Sequence, residues 1–173
     1  ILIRSGNIGS VRIGQKIGQE KFKLFLSKLG VLQKINFDIE EVGKPIKFNW
    51  GKCPLATASF GHGITTTLLQ LAKAYSIIVN GGYDINPRLI IDQKKYKKKR
   101  ILDKEVSKKI LPILRKIVTT KEGTASFANI DGYEVGGKTG TAQKSTIGGY
   151  SNKKINTFVS VFPTSKPKFV LAV

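Results

Sequence analysis

An α+β fold, with helices first and an antiparallel sheet afterwards, is what this 173-residue sequence predicts. Three observations carry that reading. Apolar residues recur at three and four positions in three stretches of the first 120 residues. Short β-branched and aromatic runs separated by Gly-rich and Pro-containing turns take over in the last third. No internal repeat is visible, and 40% apolar content over this length allows one domain with a sizeable core.

Taken in order, a helix is expected from about Ser10 to Leu29, with Phe22, Phe25, Leu26 and Leu29 on one face and Gly30 as its stop. Val31 to Gly63 hold several glycines, two prolines and the single Trp50 in no sustained period, so they read as an irregular segment over the core, Trp50 being a packing anchor. The clearest helix runs from about Thr66 to Asn80, with Leu68, Leu71, Ala72, Tyr75, Ile78 and Val79 on one face. Thr65 or Thr66 is its expected cap, and Gly81-Gly82 end it. Pro87 to Asp92 suggests a short extended stretch. A third helix is expected over Asp103 to Thr119, capped by Asp103 and kinked or split by Pro112. Strands are expected at Tyr133 to Lys144, Ile155 to Phe162 and Phe169 to Val173.

The chain carries 30 basic and 11 acidic side chains, a formal net charge of +19, which raises nucleic acid or another polyanion as a partner. Only five of the cations are arginine, the residue that base and phosphate readers favour, so nucleic acid is disfavoured. Lys94-Lys-Tyr-Lys-Lys-Lys-Arg100 reads first as a solvated loop and second as a contact for an anionic surface. Cys53 and His62 are each the only residue of their kind, which excludes disulfides and multi-histidine metal sites within the chain; no cofactor is expected. Cys53 is expected to be a buried or spectator thiol, and His62, between Gly61 and Gly63, a turn residue rather than a base. No stretch reaches the roughly 18 apolar residues of a spanning helix, and the start is no signal peptide. An opening without methionine and a last strand that stops before its turn lead us to expect a chain cut from something larger.

Chemistry concentrates in Lys138-Thr-Gly-Thr141. On a sheet edge, an ammonium and two hydroxyls suit a peptide that adds itself as a strand and ends in a carboxylate, with Gly137 and Gly140 allowing close approach. An ordinary solvated strand is the competing reading. The second element is Ser5-Gly-Asn7, a hydroxyl and an amide two residues apart before a helix, suited to relaying a proton and holding a substrate amide. Alone it would read as an N-terminal turn.

Ser-x-Asn followed by Lys-Thr-Gly is the order used in penicillin-recognising acyltransferases. With Arg4-Ser-Gly-Asn-Ile-Gly9, Gly61-His-Gly-Ile-Thr-Thr-Thr-Leu-Leu-Gln-Leu-Ala-Lys-Ala-Tyr75, Asn80-Gly-Gly82, Gly123-Thr-Ala125, Gly136-Gly-Lys-Thr-Gly-Thr-Ala-Gln143, Gly148-Gly-Tyr150 and Phe158-Val-Ser-Val-Phe-Pro163, the chain resembles the C-terminal part of the transpeptidase domain of a class B penicillin-binding protein. The motifs occur in family order over nearly the whole length.

That resemblance implies a partial penicillin-binding or serine β-lactamase-like fold spanning 1–173, from the Ser-x-Asn motif to the strand after Lys-Thr-Gly, without the family's opening strands, closing strand and C-terminal helix. The implied reaction is serine acylation by a D-Ala-D-Ala stem peptide, completed by an amine of a second peptide, with β-lactams acylating the same serine. Ser5 is implied as a proton relay, Asn7 as a substrate-amide contact and Lys138 as a source of positive potential. Thr139, Gly140 and Thr141 are implied as the carboxylate-binding segment. Implied surroundings are the periplasmic face of an inner-membrane anchor, with cell-wall synthesis and division proteins as partners.

The family's Ser-x-x-Lys lies upstream of Ser-x-Asn, where this chain has only Ile1 to Arg4. Ser151-Asn-Lys-Lys154 and Ser165-Lys-Pro-Lys168 fit that pattern in form but lie downstream, near expected turns. Leu68 stands where the family usually has proline in the first turn of its core helix, a tolerable change because proline there mainly presets a dihedral. The expectation is therefore a chain inactive by itself, with one sheet edge and much of one face uncovered. A non-catalytic module for peptides with a terminal carboxylate, and a basic polyanion binder, are the competing functions.

Overall fold

A computed structural model describes residues 1–91, 99–146 and 149–173. Most of the basic run, Lys94 to Lys98, lies outside the described residues, as does Gly148.

The first expected helix is two. Helix α1 (Asn7–Ile17) and helix α2 (Gln19–Lys28) meet at Gly18, whose φ of 81° and ψ of 156° belong to no helix and are open to glycine at little cost. Gly14 is buried in α1 because a Cβ there would lie 1.8 Å from Ser59 Oγ. Gly30, at φ 76°, ends α2 as expected: its N–H donates to Ser27 O and that of Val31 to Leu26 O, the paired bonds of a Schellman stop.

The segment expected to be irregular contains helix α3 (Lys52–Ala58), with Leu55 and Ala58 buried. Seven residues are too few for periodicity to announce a helix. Trp50 meets Phe48 and Phe22 edge-on, with ring centroids 4.7 and 6.3 Å away. Cys53 is exposed, which removes the buried alternative. His62 lies in the loop after α3, between Gly61 and Gly63, both at φ 84°.

Helix α4 (Leu68–Val79) is capped by Thr67, one residue beyond the expected caps. Thr67 Oγ1 accepts from Gln70 N at 3.2 Å and Gln70 Oε1 accepts from Thr67 N at 2.8 Å, closing a capping box. The rest of the Gln70 side chain explains why a polar residue can be fully buried. Its Nε2 donates to the carbonyls of Gly30, Val31 and Gln33, fastening the end of α2 to the start of α4. The buried line runs through Gln70, Ala74, Ile77 and Val79, while Leu68, expected on that face, is exposed. Thr67→Ala should therefore cost about 1 kcal/mol, read as a lower urea midpoint with an unchanged slope.

Of the stretch expected to be extended, Asp92 lies outside the described residues and Pro87 to Ile91 pair in no strand; the N–H of Leu89 donates to Asp38 Oδ2 at 2.6 Å. Helix α5 (Lys104–Thr119) begins at Asp103, whose Oδ1 accepts from Glu105 N at 2.9 Å. It continues through Pro112 undivided. Burial of Leu114, Ile117 and Val118 in the main core offsets the hydrogen bond that proline removes.

Strands β1 (Gly136–Thr146), β2 (Gly149–Phe162) and β3 (Phe169–Ala172) form an antiparallel sheet in that order. The second begins earlier than expected, so the backbone of Gly149 and Tyr150 belongs to it, and the first begins at Gly136 rather than Tyr133. Helix α5 packs against β1 closely enough that a Cβ on Gly136 would come 2.9 Å from Arg115 N. The core joins Val79, Leu114, Ile117, Val118, Ala125 and Val161. On the opposite sheet face Phe169 and Leu171 are exposed, as is Val173 just beyond the strand, while Ser160, paired with Leu171, is buried, so that face is open at β3 and covered at this position of β2. Among the described residues no helix is long and apolar enough to cross a membrane.

Candidate functional site

Strand alternation and pairing decide what β1 presents. The N–H and C=O of Phe158 both bond to Val173, so they point away from β1, and Thr139 faces Phe158 in register. Thr139 therefore turns its own N–H and C=O to the free edge of the sheet, as do Gly137 and Thr141, two residues away on either side. The side chains of Thr139 and Thr141 share one face and Lys138 occupies the other. Hydroxyls and ammonium thus flank a row of open main-chain groups.

The two glycines divide in their reasons. A Cβ on Gly137 would sit 2.7 Å from the Phe158 ring and from Val159 O, so internal packing demands glycine there. On Gly140, which is exposed, it would meet nothing closer than Thr157 Cβ at 3.8 Å. Among the described residues no packing contact requires glycine at position 140, so the backbone there is open to approach from outside.

Lys138 Nζ donates to Ser5 Oγ at 2.7 Å and to Thr139 O at 2.9 Å. The first bond joins the two sequence motifs across 133 residues. Lys138 is half-buried, and that burial pushes its pKa below the ordinary lysine value. Among the described residues no carboxylate pairs with it, so its charge faces only a hydroxyl and a carbonyl.

Ser5 is exposed and holds φ at 55°, the only left-handed non-glycine residue among those described. The turn that holds it there is hydrogen-bonded by Ser5 N to Leu2 O and Gly6 N to Ile1 O. Such a conformation costs on the order of 1 kcal/mol and aims the hydroxyl at Lys138. Asn7 is the first residue of α1 rather than a residue before it. Its side chain is exposed and makes no hydrogen bond among the described residues.

One hydroxyl was not assigned a role by its sequence. Thr139 Oγ1 shares a hydrogen bond with Thr124 Oγ1 at 2.8 Å, in a loop whose Thr124 N–H donates to Ile3 O at 3.3 Å. The signal available was the small-hydroxyl-small tripeptide Gly123-Thr-Ala125, where tight packing on both sides leaves the middle side chain facing out. The same loop is tied to the Ser5 turn by a two-pronged ion pair, Arg4 Nε and Nη2 on Glu122 at 3.0 and 2.6 Å. Ser151 Oγ accepts from Lys153 N within β2, and Ser165 N donates to Glu134 Oε2 in a bend. Among the described residues neither serine hydrogen-bonds to this edge. The arrangement can hold an anion and relay a proton between Ser5 and Lys138.

The family model of the penicillin binding protein transpeptidase domain matches residues 1–173. Stage V sporulation protein D of Bacillus subtilis is 34% identical over 189 residues, covering 100% of this chain and 29% of that protein. The Neisseria flavescens protein named "Probable peptidoglycan D,D-transpeptidase PenA" is 32% identical, covering 100% of this chain and 44% of its own length. Among solved structures, the apo transpeptidase domain of penicillin-binding protein 3 from Burkholderia pseudomallei superposes with a TM-score of 0.88 at 28% identity, over 96% of this chain and 52% of that one. This chain therefore spans about half of that solved domain and less than half of either curated relative.

Proposed function

The chain belongs to the penicillin-binding protein transpeptidase family, and on that premise we propose that its 173 residues are one incomplete domain forming the substrate-holding wall of a peptidoglycan D,D-transpeptidase. The observation that carries the reading is the 2.7 Å bond between Lys138 Nζ and Ser5 Oγ, which brings the two polar motifs to one end of an open strand edge. A stem peptide ending in D-Ala-D-Ala adds itself along β1, bonding to the edge-facing main-chain groups of Thr139 and Thr141, where the Thr139 carbonyl keeps a second lone pair beside its bond from Lys138. Their hydroxyls take its terminal carboxylate, Lys138 supplies positive potential from the other face, and Asn7 holds a substrate amide. Ser5 relays a proton through Lys138. The attacking serine comes from a Ser-x-x-Lys upstream of Ser5, and neither Ser151 nor Ser165, whose downstream runs fit that pattern in form, serves in its place. In the intact protein the acyl-enzyme passes to an amine of a second stem peptide, at the outer face of a membrane and beside other wall-synthesis proteins.

A fluorescent penicillin tests this directly. Incubated with the 173-residue chain it should leave no covalent adduct after denaturation, because a bound carboxylate without an attacking atom gives no acyl-enzyme. A stable adduct would overturn the reading, and mapping it would identify the nucleophile. Ser5 is the first serine to inspect, since its hydroxyl already has a lysine partner.

A further inference from the structure

Three separate segments close a circuit at the open edge of β1. Lys138 reaches Ser5, Thr139 reaches Thr124, and Thr124 N–H returns to Ile3, two residues before Ser5. Two of these segments, the Ser5 turn and β1, carry the motifs already given roles. On the third, the Thr124 hydroxyl has none, yet the chain goes to some length to fix it.

Gly123 lies so close to the end of α5 that a Cβ would be 2.0 Å from Ile117 O. Its N–H donates to Thr120 O, and Ala125, buried, donates from its N–H to that same Ile117 carbonyl. Thr124 between them has its own N–H on Ile3 O, and the Glu122 to Arg4 ion pair braces the loop from outside. Main chain on both sides is held, and the side chain is left exposed against Thr139.

We infer that Thr124 is a positioning residue for carboxylate recognition, acting through Thr139. A hydroxyl has one proton to give and two lone pairs to receive with. In the free chain the Thr139 and Thr124 hydroxyls share one hydrogen bond at 2.8 Å, in which either can donate. When a ligand carboxylate arrives, Thr139 turns its proton to the ligand, and Thr124 donates its own into Thr139 Oγ1. The pair becomes a directed chain, Thr124 to Thr139 to carboxylate, in which each bond polarises the next. Thr124 thereby selects the Thr139 rotamer that faces the ligand and makes its hydroxyl a better donor. This rests on the proposed role of the β1 edge in holding a terminal carboxylate.

The test measures affinity of the whole 173-residue chain for N-acetyl-D-Ala-D-Ala and for the same dipeptide with a C-terminal amide, in Thr124→Val, Thr124→Ser, Thr139→Val and the Val/Val double variant. Thr124→Val should bind the free acid about five-fold more weakly, and Thr124→Ser within about two-fold of the parent, since serine keeps the donor. In the Thr139→Val background, Thr124→Val should cost nothing further. Equal affinity of Thr124→Val and the parent, with Thr139→Val impaired, would overturn the inference and leave the carboxylate reading standing. So would a Thr124→Val loss that persists undiminished without the Thr139 hydroxyl. A parent chain that binds acid and amide alike would overturn both. Thr124→Ala read against Thr124→Ser supplies the same comparison should the valine variant fail to fold.

Discussion

Lys138→Met is expected to leave the fold intact while weakening binding of a peptide with a free terminal carboxylate by about ten- to a hundred-fold, the worth of one charge-assisted hydrogen bond. The side chain is half-buried, has no carboxylate partner among the described residues, and has its pKa lowered by burial. Methionine keeps the apolar stem and removes the charge. The sign for stability follows from the same shift. With the folded pKa below the unfolded one, the unfolded chain binds more protons between the two values, so stability rises with pH across that window. The methionine variant lacks that rise. Ligand binding runs the other way, because the carboxylate needs the ammonium: affinity falls as pH climbs through the folded pKa, at lower pH than a solvent-exposed lysine would give. Calorimetric titration of both proteins across the alkaline range checks both the loss and its pH dependence. An unchanged affinity in Lys138→Met would remove Lys138 from the site.

Gly123→Ala should destabilise the chain by about 3 kcal/mol, since the clash is between main-chain atoms that no rotamer can relieve. The added methyl would lie 2.0 Å from Ile117 O and 2.7 Å from Ile117 C, at a residue with no exposed surface in the centre of the core. Either the end of α5 moves or the Gly123 loop does, and the second movement takes Thr124 from Thr139. Gly140→Ala is the contrast. With Thr157 Cβ at 3.8 Å its methyl has room, so the urea midpoint should stay within about 1 kcal/mol of the parent while peptide binding at the edge weakens. Equal stability losses in the two variants would show that glycine serves the backbone alone at both positions.

The order of helices and strands was legible because it rests on periodicity, and the long elements α4, α5 and β2 carry enough periods to show it. The break at Gly18 was hidden: glycine inside an amphipathic pattern is compatible with a continuous helix, and only its left-handed φ interrupts it. Of the two outcomes expected at Pro112, a kink or a split, the split does not occur, because buried neighbours on α5 hold the helix in one piece. At the site, the residue types of Ser5, Lys138, Thr139 and Thr141 could be read from the motifs, but not that strand alternation sets Lys138 opposite the two threonines. Thr124 was invisible as a partner because its contact spans 15 residues and depends on how closely Gly123 approaches α5.

Following backbone amide resonances of the isotope-labelled chain during titration with N-acetyl-D-Ala-D-Ala tests most directly whether the edge of β1 is the carboxylate-holding wall. Saturable shifts are expected at Thr139 and Thr141, whose N–H groups face the free edge, and at Ser5 through Lys138, with much weaker effects from the C-terminal amide. Shifts confined to other surfaces, or equal shifts from acid and amide, would contradict the assignment of this edge.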